Sequence, residues 1–123
     1  METDSRTGDI RGEVGKTMAR NQKPEMRTFM LMTKLSPEVS SRVKDRAQIG
    51  RKWLNEVKKK CPEVKFKAHY ALLGPYDFVD IYEAPDVESA AKVSMISMAN
   101  GATQAESWAA IPYKRFLKLT EQI

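Results

Sequence analysis

A chain of 123 residues with 41% hydrophobic side chains, 30% charged ones and a formal net charge of +5 is long enough for one domain with a modest core and too short for two. No stretch approaches the roughly 18 apolar residues of a membrane span, and the first residues lack the apolar run of a secretory signal, so a cytoplasmic protein off the membrane is expected. Cys61 excludes an internal disulfide, and Cys61 and His69, alone of their kinds, leave no Cys/His zinc set, so no metal and no cofactor are expected.

The first 26 residues balance five bases (Arg6, Arg11, Lys16, Arg20, Lys23) against five acids (Glu2, Asp4, Asp9, Glu13, Glu25). Polar composition, Gly8, Gly12, Gly15 and no apolar period predict a disordered N-terminal tail over residues 1–25, ahead of a domain at 26–123. Gly15, Lys16 and Thr17 match the end of a phosphate-binding loop, but that pattern needs a glycine where Ile10 stands, and no apolar strand precedes it. The match is chance. Residues 36–60 carry eight bases against Glu38, Asp45 and Glu56, an excess of five that equals the net charge of the whole chain. At about 100° per residue these bases scatter around a helix and form no stripe, which argues against a nucleic-acid partner.

From Arg27 the character changes. Thr28 to Thr33 is a nearly continuous apolar run suited to a first strand. Ser36 and Pro37 form a helix-start signature, because the serine oxygen can accept an orphan amide and proline is harmless at the first position. Val39, Val43, Ala47, Gly50, Leu54, Val57 and Cys61 then recur every three or four residues, predicting one helix with Trp53 bordering its apolar face and Pro62 ending it. Val64 to Leu73 alternates as a second strand, with Val64, Phe66, Ala68, Tyr70 and Leu72 on its more apolar face. A turn at Gly74 and Pro75 leads into a third strand, Tyr76 to Glu83, with Val79 and Ile81 opposite Phe78, Asp80 and Tyr82. Asp86 caps a second helix to about Ala99, with Val87, Ala90, Ala91, Ser94, Met95 and Met98 inward and Asn100 and Gly101 as its stop. A fourth strand from Thr103 to Ala110 and a short C-terminal helix from Pro112 complete the chain.

The order βαββαβ predicts an α+β, ferredoxin-like fold in which a four-stranded antiparallel sheet carries both helices on one face. With Phe66, Tyr70, Val79 and Ile81 taken as helix-facing, the bare face presents Lys67, His69, Ala71, Leu73, Tyr76, Phe78, Asp80 and Tyr82. A two-residue turn sets His69 across from Asp80 and Lys67 across from Tyr82. Such a face is too apolar to leave in water, and a second subunit packed against it gives a homodimeric barrel. The cavity between the facing sheets is then the candidate ligand pocket, lined by Lys67, His69, Phe78, Asp80 and Tyr82. A plain dimer interface with nothing bound explains the same residues.

Gly74, Pro75, Tyr76 and Asp77, followed by Phe78 to Asp86, resemble the signature of the GYD domain family, named for a Gly-x-Tyr-Asp core. The likeness covers about residues 26–120. It implies a dimeric α+β barrel. The family carries no assigned activity, so no catalytic residue follows from the resemblance.

Within the motif, Asp77 is expected to accept local backbone amides and Tyr76 to pack over strand ends. A carboxylate beside an imidazole fixes its tautomer and raises its basicity, so His69 and Asp80 are candidates for proton transfer; a cross-strand polar pair is the other reading. Two functions stay open. One is a small-molecule-binding or accessory domain that reports to a partner protein. The other is a cofactor-independent enzyme acting on a small carbonyl or aromatic compound through His69 and Asp80.

Overall fold

The computed structural model describes residues 25–123. The expected N-terminal tail and its glycine motif, but for Glu25, lie outside the described residues. The elements are β1 (Arg27–Leu35), α1 (Pro37–Ser41), a 3-10 turn (Val43–Asp45), α2 (Arg46–Lys60), β2 (Lys65–Ala71), β3 (Phe78–Ala84), α3 (Val87–Ala99), β4 (Ala102–Ala110) and α4 (Tyr113–Thr120). The four strands form one antiparallel sheet in the order β2-β3-β1-β4. The α+β architecture is consistent with the ferredoxin-like fold expected from the sequence.

The core lies between the sheet and the helices. Phe29 and Leu31 of β1, Tyr82 and Ala84 of β3, Val57 and Cys61 at the end of α2, and Ala90, Val93 and Ile96 of α3 are buried together. The Phe29 and Tyr82 rings stack with centroids 5.5 Å apart. Helix starts follow the sequence: Ser36 Oγ accepts Val39 N–H, and Asp86 Oδ1 accepts Ser89 N–H at 2.8 Å. Gly101 ends α3 at φ 106°, and a Cβ there would lie 2.5 Å from Val39 Cγ2. Handedness and the approach of α1 both require glycine.

Three expectations are corrected. The first concerns the helix predicted to run unbroken from Pro37 to Cys61. It breaks at Arg42 (φ −85°, ψ 62°). Ser41 Oγ donates to Glu38 O at 2.8 Å and Arg46 Nη2 donates to Ser40 O at 2.9 Å. Side chains thus take up carbonyls near the point where the helical ladder stops. Val43, Ala47 and Gly50, expected inward, are exposed.

The second concerns α3, which is rotated from the predicted face. Its buried residues are Ser89, Ala90, Val93, Ile96 and Ser97, whereas Val87, Met95 and Met98 are 57%, 61% and 54% exposed. Serines can face inward because each finds a partner. Ser89 Oγ donates to Glu63, Ser94 Oγ bonds Ser107 Oγ, and Ser97 Oγ donates to Val93 O.

The third concerns the faces of the hairpin. Tyr82 and Asp80 pair with the buried Phe29 and Leu31 of β1, so Phe78, Asp80 and Tyr82 point under the helices and Val79 and Ile81 point to the open side. The register of β2 shifts between Phe66 and Ala68: Phe66 pairs with Tyr82, yet His69 pairs with Asp80. This bulge at Lys67 puts Phe66 and His69, three residues apart, on the same side.

Candidate functional site

The reversal of faces moves the candidate residues from an open surface into the space between sheet and helices. His69, Phe78, Asp80 and Tyr82 share the helix-covered face. Lys67 does not join them; as the bulged residue it extends toward Glu83 on the other side, with Nζ 3.6 Å from Oε1. These residues therefore gather within a single chain, between its sheet and its helices, and not on the open side of the sheet.

A cavity of about 210 Å³ lies there, with Phe78 and Asp80 of β3, Thr33 and Leu35 of β1, Arg46, Ile49, Gly50 and Trp53 of α2, and Ser97 and Asn100 at the end of α3 in its walls. Its lining is mostly apolar. Trp53 is fixed by an indole N–H to Ser97 Oγ bond of 2.8 Å, which ties α2 to α3. Gly50 sits at the exposed rim, and a Cβ there would meet nothing within 4 Å. Glycine in a helix interior costs about 1 kcal/mol relative to alanine, and here no packing demands it; what it does is leave the mouth of the cavity clear.

Asp80 reaches this cavity with His69 behind it. His69 Nδ1 lies 2.5 Å from Asp80 Oδ1, the imidazole half-exposed and the carboxyl almost fully covered. Burial pushes the Asp80 carboxyl above its ordinary pKa, and the bond to His69 pulls it part of the way back. His69 is held from its other sides by Phe66, with ring centroids 5.2 Å apart, and by the edge of Trp53 at 6.4 Å. Of the pair, the aspartate is the group that a molecule in the cavity would meet. A carboxyl whose pKa is raised by burial holds its proton more readily than an exposed one and is a candidate to give or take a proton there.

Tyr82 takes a structural place. It is fully buried, its hydroxyl bonds Ser107 Oγ at 2.8 Å, and burial pushes its pKa up to about 12. Cys61, fully buried and with its thiol pushed up by burial, is a small core residue of low reactivity. Among the described residues no three His, Cys, Asp or Glu side chains cluster as a metal ion would need.

Arg46 was not singled out from the sequence. Its guanidinium carbon lies 5.8 Å from the centroid of Phe78, over the ring, and its buried Nε–H has no acceptor among the described residues. Leaving such a donor without a partner costs about 1–3 kcal/mol. Arg46 reads in the sequence as one base of eight on a charged helix, and Gly50 as one member of an apolar face. In the structure both line the cavity from α2.

The motif residues build the frame. Where a local amide was expected, the Asp77 carboxylate takes a distant one: its Oδ2 accepts Leu35 N–H at 2.8 Å, its N–H donates to Thr33 O and its carbonyl accepts Leu72 N–H. Leu35 lies where the β1–β4 register shifts, so the carboxylate satisfies an amide at the irregular end of β1. Tyr76 crosses the open side of the sheet to Glu106 on β4, donating at 3.1 Å, and meets the edge of Trp108 at 6.0 Å. Glu106 pairs with Met32, which pairs with Val79; both are buried on this helix-free side, beneath the path of Tyr76.

The model of the family described as GYD domain matches residues 29–120. The chain belongs to the GYD domain family. A relative from Thermus thermophilus, named glutamine synthetase and cystathionine beta-lyase binding protein, is 32% identical over 88 residues, covering 71% of this chain and 90% of that protein. No solved structure matches. The GYD motif thus coincides with the clamp around Asp77 and the strap of Tyr76, both outside the cavity. No helix among the described residues is long and apolar enough to cross a membrane.

Proposed function

We propose that this GYD domain protein is a homodimeric accessory protein that docks on another protein, an enzyme of the kind named for the Thermus relative, and holds a small molecule in the cavity of each protomer. The observation that carries the docking is the outer side of α3. Val87, Ala91, Met95 and Met98 recur at spacings of four, four and three, all exposed. An apolar stripe on a helix that already buries its opposite side is the kind of surface a partner covers, and methionine adapts to irregular contacts.

A second copy takes the other side of the sheet, where Trp108 and Tyr70 are 44% and 58% exposed. Dimer and partner then use opposite sides of the molecule. The proposed setting is the cytoplasm, where a lone buried cysteine suits a reducing compartment.

The test is binding of the purified protein to glutamine synthetase and cystathionine beta-lyase from its own source, followed by light scattering of the eluted complex. Complex formation with either enzyme, lost in Met95→Glu/Met98→Glu while the free protein stays dimeric, is the expected result. Absence of a complex with both enzymes would overturn the docking.

The contact between His69 and Asp80 supports a second reading, proton transfer on a small carbonyl or aromatic compound. Asp80 would exchange the proton and His69 would position it. Turnover of such a compound that disappears in Asp80→Asn, with the cavity still able to bind, distinguishes this enzyme from a binding protein.

A further inference from the structure

The cavity has one face of a particular chemistry. Arg46 lies over Phe78 with no carboxylate of the described residues paired to it, and its buried Nε–H lacks an acceptor. The charge is thus neutralised neither by Asp45, whose carboxylate takes Arg42, nor by Glu56, which takes Lys60 and Asn100. Asp80, the other charged wall, is engaged by His69. The cavity walls include the flat rings of Trp53 and Phe78 and the aliphatic Ile49, and the volume is about 210 Å³. An apolar cavity of about 150 Å³ takes benzene, so one aromatic ring with a short substituent fits.

We infer that the cavity binds a small aromatic monocarboxylate, its ring between Trp53 and Phe78 and its carboxylate on the Arg46 guanidinium. A planar guanidinium offers several N–H donors in a fixed plane that match a carboxylate, and in Arg46 the Nη2 bond to Ser40 O holds that plane in place. Stacked on Phe78, it is partly withdrawn from water, which strengthens its hold on an anion. Gly50 leaves the entrance open above the ring. The inference rests on the reading that the cavity holds a small molecule, and it adds the charge and the shape of that molecule.

Calorimetric titration of the full-length protein with benzoate, phenylacetate and indole-3-carboxylate, each against its own carboxamide, tests it. At least one acid binds, its amide binds about tenfold more weakly or worse, and Arg46→Gln brings the acid down to the level of the amide. Arg46→Lys keeps the charge without the fork and recovers part of the loss. Gly50→Leu, which grows a side chain into the entrance, weakens acid and amide together. If acids and amides bind alike, or Arg46→Gln leaves the preference for acids unchanged, the carboxylate assignment is overturned and the cavity remains a neutral-ligand site. If none of the six compounds binds the wild-type protein, both the assignment and the small-molecule reading fall.

Discussion

The carboxylate of Asp77 accepts the backbone amide of Leu35, 42 residues earlier in the chain, at 2.8 Å. That bond joins the β2–β3 connection to the end of β1, and Leu35 is one wall of the cavity. The motif residue therefore shapes the site without entering it.

Replacing Asp77 by alanine leaves a part-buried amide without its charged acceptor and is expected to destabilise the fold by about 2 kcal/mol. Asp77→Asn keeps an acceptor and should cost about 1 kcal/mol. Urea unfolding of the three proteins measures this, and equal midpoints for wild type and Asp77→Ala would reduce the clamp to a bystander.

Two glycines in the chain should respond in opposite directions. Gly50→Ala lies in a helix with open space at its Cβ and is expected to stabilise by about 1 kcal/mol. Gly101→Ala meets Val39 and an unfavourable φ and is expected to destabilise by about 1–3 kcal/mol. Thermal melts of the two variants decide the matter, and a loss of stability in Gly50→Ala would show that this glycine is needed for packing.

Asp80 sets a pH dependence whose sign follows from burial. Its folded pKa is raised above the unfolded value near 3.8, so its contribution is most favourable below that value and is lost as pH rises through the folded pKa. Asp80→Asn cannot ionise. Its stability relative to wild type should therefore improve as pH rises from about 4 through the raised folded pKa, and level off above it. A difference that stays flat, or that falls with pH, contradicts this placement of the carboxyl.

Asp86 works in the other sense. Its bonds to Ser89 hold the carboxyl below its ordinary range, so the stability it provides is present above the unfolded pKa and is lost as pH falls through the folded pKa. Asp86→Ala removes the N-cap of α3 and should cost about 1 kcal/mol near neutrality. The gap from wild type should close in acid, as denaturation curves at both pH values would reveal.

The order of elements, the caps at Ser36 and Asp86, the stop at Gly101 and the pairing of His69 with Asp80 were all legible in the sequence, because each depends on local chemistry or on the length of one turn. What was not legible were three orientations. Alternation in β2 put Phe66 and His69 on opposite sides, and nothing in Lys65-Phe66-Lys67-Ala68 announces a bulge. In α3 the methionines are the more apolar residues, yet hydroxyls that find acceptors can occupy the interior in their place. In the first helical segment the apolar period runs on across Arg42 and hides the break. The pairing of His69 with Asp80 was thus read but assigned to the wrong side, while Arg46 and Gly50 look in the sequence like one base of eight and one member of an apolar face, with nothing to mark the cavity they line.

The bulge at Lys67 has a consequence for assembly. β2 is an edge strand, and an uninterrupted edge is a template onto which foreign strands can add. Here the hydrogen-bonding rim is kinked at one residue and carries Lys65 and Lys67 on either side of Phe66. A bulge and flanking lysines of this kind disfavour the addition of a foreign strand along this margin.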